Sequence, residues 1–157
     1  MADDTSGAGE LNARSENAAL NEALAASHAA VWGYGVVGSA LGPDARPAAA
    51  AAETAHRDLR DRVTVLLVDR KAEPVGAQGG YALPFPVLSA VDAAALAVVL
   101  EDGVAASWVR VLDQAAERST RELAVGALGD AEVRAVGWRI AAGQTPVTRA
   151  FPGLPAE

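Results

Sequence analysis

Apolar residues recur along this chain at spacings of three and four, the period that lays side chains on one face of an α-helix. Four segments carry the pattern. In the first, about 17–41, the stripe is Leu20, Leu24, Ser27, Val31, Tyr34, Gly38 and Leu41. In the second, about 44–70, it is Ala49, Ala52, His56, Leu59, Val63 and Leu66, with a polar face from Arg57 to Arg62. In the third, about 91–116, it is Ala94, Val98, Glu101, Ala105, Trp108, Leu112 and Ala115. The fourth, about 119–142, is less regular: Val125, Leu128, Glu132 and Ala135 fit one stripe, while Val133, Val136 and Ile140 compete for another. Gly42-Pro43 stops the first segment, and Gly143 is placed to stop the last. Asp44 is the expected N-cap of the second segment, and Ser89 with Asp92 resembles a capping box for the third.

The lengths of the connections predict the topology. Gly42-Pro43 and the short turn near Glu117 each demand antiparallel neighbours. Roughly twenty residues separate the second and third segments, long for a compact domain. They include Tyr81-Ala82-Leu83-Pro84-Phe85-Pro86-Val87, an apolar, Pro-rich stretch that suits an extended strap. A strap of that length spans a helix and returns the chain to its starting end. The expected architecture is all-α: an up-down-down-up four-helix bundle of the ferritin-like kind, with a long crossover between helices 2 and 3. Residues 1–16, poor in apolar content, read as a mobile tail. Residues 17–146 read as the bundle and 147–157 as a C-terminal extension.

That topology places particular side chains at one depth. Glu53-Thr54-Ala55-His56 is a Glu-x-x-His sequence, whose two ends share a helix face. Glu53 and Glu101 lie about nine and eleven residues into two helices expected to be parallel, so they fall level. Reversal near Glu117 brings Glu132 to the same height. Glu53, His56, Glu101 and Glu132 are therefore the candidate metal ligands, suited to Fe or Mn. The set is incomplete. Ala135 stands where a second Glu-x-x-His would have its histidine, and the first helix offers Val31, Trp32, Gly33 and Tyr34 at that level. Glu101 in an apolar stripe still needs an internal partner, because a buried unpaired carboxylate costs several kcal/mol. His28 and Tyr34 are candidate members of a polar cluster, and Tyr34 could satisfy Glu101 without any metal.

Composition narrows the function. The chain has 157 residues, no cysteine and a net charge of −7. Thiol catalysis, iron–sulfur clusters and disulfides are excluded. An acidic chain without clustered Lys and Arg does not suit nucleic acid. No apolar run reaches the roughly 18 residues of a membrane span, and no signal-peptide pattern opens the sequence, which reads as cytoplasmic. Ser39, Ser107 and Ser119 lack the His and Asp company of a hydrolase nucleophile.

Five pieces of the chain resemble a known family, the actinobacterial ferritin-like domains of unknown function. They are Ser27-His28-Ala29-Ala30-Val31-Trp32-Gly33-Tyr34-Gly35, His56-Arg57, the stretch from Tyr81 to Val87, Leu100-Glu101-Asp102-Gly103-Val104-Ala105-Ala106, and Phe151-Pro152-Gly153-Leu154. The resemblance implies a ferritin-like bundle and brings no established activity. Members of that family carry Glu-His where this chain has Ser27-His28, which removes one candidate ligand. The expectation is a non-catalytic binding or assembly protein with a degenerate carboxylate–histidine site and no resident cofactor. A homodimer burying one helix face fits it; a small-molecule ligand is not identified. The alternative is a metal-dependent oxidase or metal-handling protein using Glu53, His56, Glu101 and Glu132.

Overall fold

A computed structural model describes residues 3–155, with side chains described from residue 7 onward. Four α-helices account for its regular structure: α1 (Asp3–Ala40), α2 (Arg46–Asp69), α3 (Ala90–Gln114) and α4 (Arg118–Ala141). The three later helices match the periodic segments to within two residues at each end. α1 does not. It starts fourteen residues before Asn17, so the expected boundary at 16/17 falls inside a continuous helix. Glu16, one residue before that boundary, is buried and bonded across the bundle, whereas residues 7–15 of the helix are exposed.

Local signals explain the helix ends. At the α1–α2 turn, the Ala45 and Arg46 amides donate to the Gly42 carbonyl, and Arg46 Nε donates to Leu41 O. Asp44 is not the cap of α2; Ala45 holds that position with no side-chain bond, and Pro47 in the first turn presets the helical φ. Ser89 does cap α3. Its hydroxyl accepts from the Asp92 amide, and the Asp92 carboxylate accepts from the Leu88 amide and Ser89 Oγ.

The connection from α2 to α3 is an extended strap pinned along α1. Asn21 clamps it by donating to Glu73 O and accepting from the Val75 amide. Further along, Tyr81 packs on Trp32 with ring centroids 5.7 Å apart, and Phe85 and Val87 reach the apolar residues around Tyr34 and Leu41. Gly33 permits a close approach here: a Cβ at that position would sit 2.6 Å from Leu100 Cδ1.

The core is divided in two. One apolar cluster joins Leu20 and Leu24 of α1 to Val63 and Leu67 of α2, Trp108 of α3 and Ala124 of α4. A second joins Tyr34 and Val37 to Ala49, Ala52, Ala94, Val98 and Trp138. Between them lie His56 on α2, Glu101 on α3 and Arg134 on α4, and the Tyr34 hydroxyl reaches in from the edge of the second cluster. α4 faces the core through Ala124, Ala127, Ala131, Ala135 and Trp138, while Val125, Val133 and Ile140 are exposed. The irregular pattern of this helix is the sum of an inner alanine face and an outer valine face. The bundle is closed along the α1–α2, α1–α3 and α3–α4 seams, whereas α2 and α4 barely touch. Among the described residues no helix is long and apolar enough to cross a membrane.

The C-terminal segment folds back onto α3. Arg139 donates to Val147 O, Arg149 pairs with Asp102, and Gly153 sits against α3 with a φ of +78°. A Cβ at Gly153 would lie 2.7 Å from Ala105 O, a backbone atom that cannot move aside. Gly153→Ala therefore combines left-handed strain with a steric clash. It is expected to release residues 147–155 while leaving the helices folded. Amide hydrogen exchange checks this: faster exchange confined to the segment is the expected result, and unchanged protection would refute it.

Candidate functional site

The gap between the two apolar clusters holds a compact polar centre around Glu101. One carboxylate oxygen, Oε1, accepts three hydrogen bonds: from the Tyr34 hydroxyl of α1 at 2.5 Å, from His56 Nε2 of α2 at 2.9 Å and from Arg134 Nε of α4 at 2.9 Å. Each helix contributes one side chain. Glu101 and His56 are fully buried, Tyr34 nearly so, and the Arg134 side chain keeps 21% of its surface exposed. The Tyr34 and His56 rings stack with centroids 5.5 Å apart, and Tyr34 also meets Trp138.

The chemistry of the donors fixes their states. A carboxylate oxygen accepts, so His56 carries a hydrogen on Nε2, and the tyrosine donates. Burial pushes the Glu101 carboxyl upward. The hydrogen bond from His56, with the hydrogen bond and charge of Arg134, outweighs it and holds the pKa below the ordinary value. Tyr34 moves the other way, raised far above the usual phenol range by burial and by the adjacent Glu101 charge. It therefore remains a neutral donor. The centre is a carboxylate anion neutralised by a guanidinium and braced by two ring donors.

A family model described as Domain of unknown function (DUF4439) matches residues 19–156. The chain belongs to that family. A solved structure, that of a conserved hypothetical protein, rv2844, from Mycobacterium tuberculosis, is 39% identical with a TM-score of 0.79, covering 81% of this chain and 96% of its own. A mycobacterial relative agrees with the actinobacterial character expected from the sequence. No curated protein matches the chain. The match begins within α1 and runs through all the residues of the polar centre, so the centre is part of the family domain.

Within this member of the family, only some of the expected site residues converge. His56, Glu101 and Tyr34 meet. Glu53 does not join them: its carboxylate accepts from Arg57 one turn along on the outer side of α2. Glu132 is also elsewhere, bound by the buried Arg139, which pairs at the same time with Asp102. His28 is not in the centre either; its Nε2 bonds to Val75 O of the strap. Among the described residues, no three His, Asp or Glu side chains are grouped to hold a metal ion.

Two functional groups escape a reading of the pattern alone. Arg134 lies beside the inner alanine face of α4 and reads as surface charge; only its aim at Glu101 distinguishes it. Glu16 is a second buried carboxylate, on α1 about five turns before Tyr34 and level with the entrance to α4. It accepts from Thr120 Oγ1 and Arg70 through one oxygen, and from the Ala116 and Glu117 amides through the other. The last two are backbone donors at the entrance to α4, where Glu117 makes no side-chain cap. Burial pushes the Glu16 pKa upward, but these hydrogen bonds outweigh it and leave the pKa lowered.

Proposed function

We propose that the protein is a non-catalytic binding bundle of ferritin-like topology whose central carboxylate–histidine layer is closed by its own arginine. The topology is supported by what meets at each end. Glu16, Arg70, Glu117 and Thr120 cluster at one end; Leu41, Ala49, Ala94 and Trp138 belong to the apolar cluster of the other half. That distribution suits helices 1 and 4 running one way and helices 2 and 3 the other, with the strap along α1.

The single observation that carries the functional reading is the Arg134–Glu101 contact. A dimetal carboxylate centre needs several carboxylates and two histidines pointing at one void. Among the described residues Glu101 is the one carboxylate in the layer and His56 the one imidazole; a permanently charged guanidinium neutralises the carboxylate through Oε1, and the buried Oε2 and His56 Nδ1, left without partners, are too few to hold two metal ions. Glu53 and Glu132 are committed to Arg57 and Arg139. The residues do not fit a redox pair of Fe or Mn ions, so no oxidase step is derived.

Metal titration tests the reading. Protein purified without chelators is assayed for bound metal, then titrated with Fe(II) and Mn(II) under exclusion of oxygen. The expected result is no stoichiometric uptake. One or two equivalents bound by wild type and lost in Glu101→Gln would refute a closed centre and reinstate metal handling.

A further inference from the structure

The open α2–α4 seam forms a groove of about 350 Å³, with Leu59, Leu123 and Ala127 as its apolar part and Arg62, Glu122, Asp130 and Arg134 as its charged lining; Glu122 is paired with Arg118. Its charges are unusually placed. Asp130 and Arg134 stand one turn apart on α4, the spacing at which such residues ordinarily pair. They do not pair here, because Glu101 draws Arg134 inward through Nε. Among the described residues neither Nη group of Arg134 has a hydrogen-bond partner, and Asp130 and Arg62 make no ion pair. The groove thus presents one uncommitted carboxylate and two guanidiniums, one of them held in position by the buried centre, above an apolar floor.

We propose that this groove binds a small zwitterion, an α-amino acid with an apolar side chain. The ligand carboxylate takes the Nη face of Arg134 together with Arg62, forming charge-assisted hydrogen bonds. The ammonium takes Asp130. The side chain covers Leu59, Leu123 and Ala127. A groove of this volume is within the range that suits small molecules, and its mixed lining, half polar or charged and half apolar, suits a ligand that carries both charge and an apolar part. Glu101 acts as a positioning residue: it fixes the guanidinium plane and prevents Arg134 from collapsing onto Asp130. The inference deepens the reading of the protein as a binding bundle and rests on it.

Isothermal titration of the 157-residue chain freed of metal tests the proposal. The probes are L-leucine, L-phenylalanine, 4-methylpentanoate, which lacks the ammonium of leucine, and 3-methylbutylamine, which lacks its carboxylate. At least one amino acid is expected to bind, with both analogues of leucine about tenfold weaker than leucine or more. Asp130 is exposed and unpaired, so Asp130→Asn leaves the fold intact. That variant is expected to bind leucine no better than 4-methylpentanoate, and Arg62→Gln to weaken both acids. Absence of binding by either amino acid up to about 10 mM overturns the proposal. So does equal affinity for 4-methylpentanoate and leucine in wild type, or an Asp130→Asn variant that binds as wild type does. A silent titration leaves the closed centre standing, whereas metal uptake removes the closed centre and is read separately.

Discussion

Glu101→Ala is expected to lower the free energy of unfolding by about 3–5 kcal/mol, the range for breaking a buried ion pair by removing one partner. The substitution strips the shared acceptor from Tyr34, His56 and Arg134 together. Two buried ring donors are left without a partner, each carrying a desolvation penalty. The guanidinium loses its counter-charge, although its partial exposure lets it turn into the groove. For a chain of this size the change corresponds to a fall in melting temperature on the order of 10 °C. Glu101→Gln retains an acceptor of the same shape and should cost about half as much, since only the charge is removed. Equilibrium urea denaturation of the three proteins measures both values. A loss below about 1 kcal/mol for Glu101→Ala would mean that the centre does not bear on stability and that its description is mistaken.

Glu16→Ala produces the second large effect. Four donors lose their acceptor, two of them backbone amides at the entrance to α4. An expected cost of about 2–4 kcal/mol follows from losing a helix cap and a buried ion pair at once. A chain trimmed to begin at Asn17 should show the same loss, and one trimmed only to just before Glu16 should not. The pH dependence has a definite sign. Glu16 and Glu101 both have folded-state pKa values below the ordinary carboxylate value. Their stabilisation is therefore complete above the unfolded-state pKa, roughly pH 4.3, and is lost as pH falls through the folded values. Wild type should lose stability below that pH more steeply than Glu16→Ala, as measured by urea midpoints between neutral and acid pH. Parallel curves for the two proteins would contradict the assigned role of Glu16.

Where side-chain periodicity was clean, the fold was legible. The stripes of helices 1 to 3 correctly place Leu24, Tyr34, His56, Val63, Val98, Glu101 and Trp108 inside, because burial of one face at the helical period leaves its trace in composition. The alanine-rich interior blurred helix 4. Alanine is common on both sides of a helix, so the outward valines at 125, 133 and 140 looked as persuasive as the inner alanines. The consequence was a rotated face, with Glu132 turned toward the centre in place of Arg134. Glu53 failed for a related reason. Positions three apart share a face only loosely, and His56 took the core side while Glu53 found Arg57 one turn away. Glu16 was not legible as part of the fold because its partners, Arg70, Ala116, Glu117 and Thr120, lie 54 to 104 positions away in sequence.

The sequence by itself determined four apolar stripes, two tight reversals, one long apolar strap and the need for Glu101 to find an internal partner. These follow from local spacing, turn chemistry and the cost of burying charge, which act over a few residues. The tertiary structure alone decided which cation answers Glu101, where α1 begins and which seam stays open. Those outcomes depend on the relative rotation and packing of helices that meet only in the folded chain, and no local pattern records the choice.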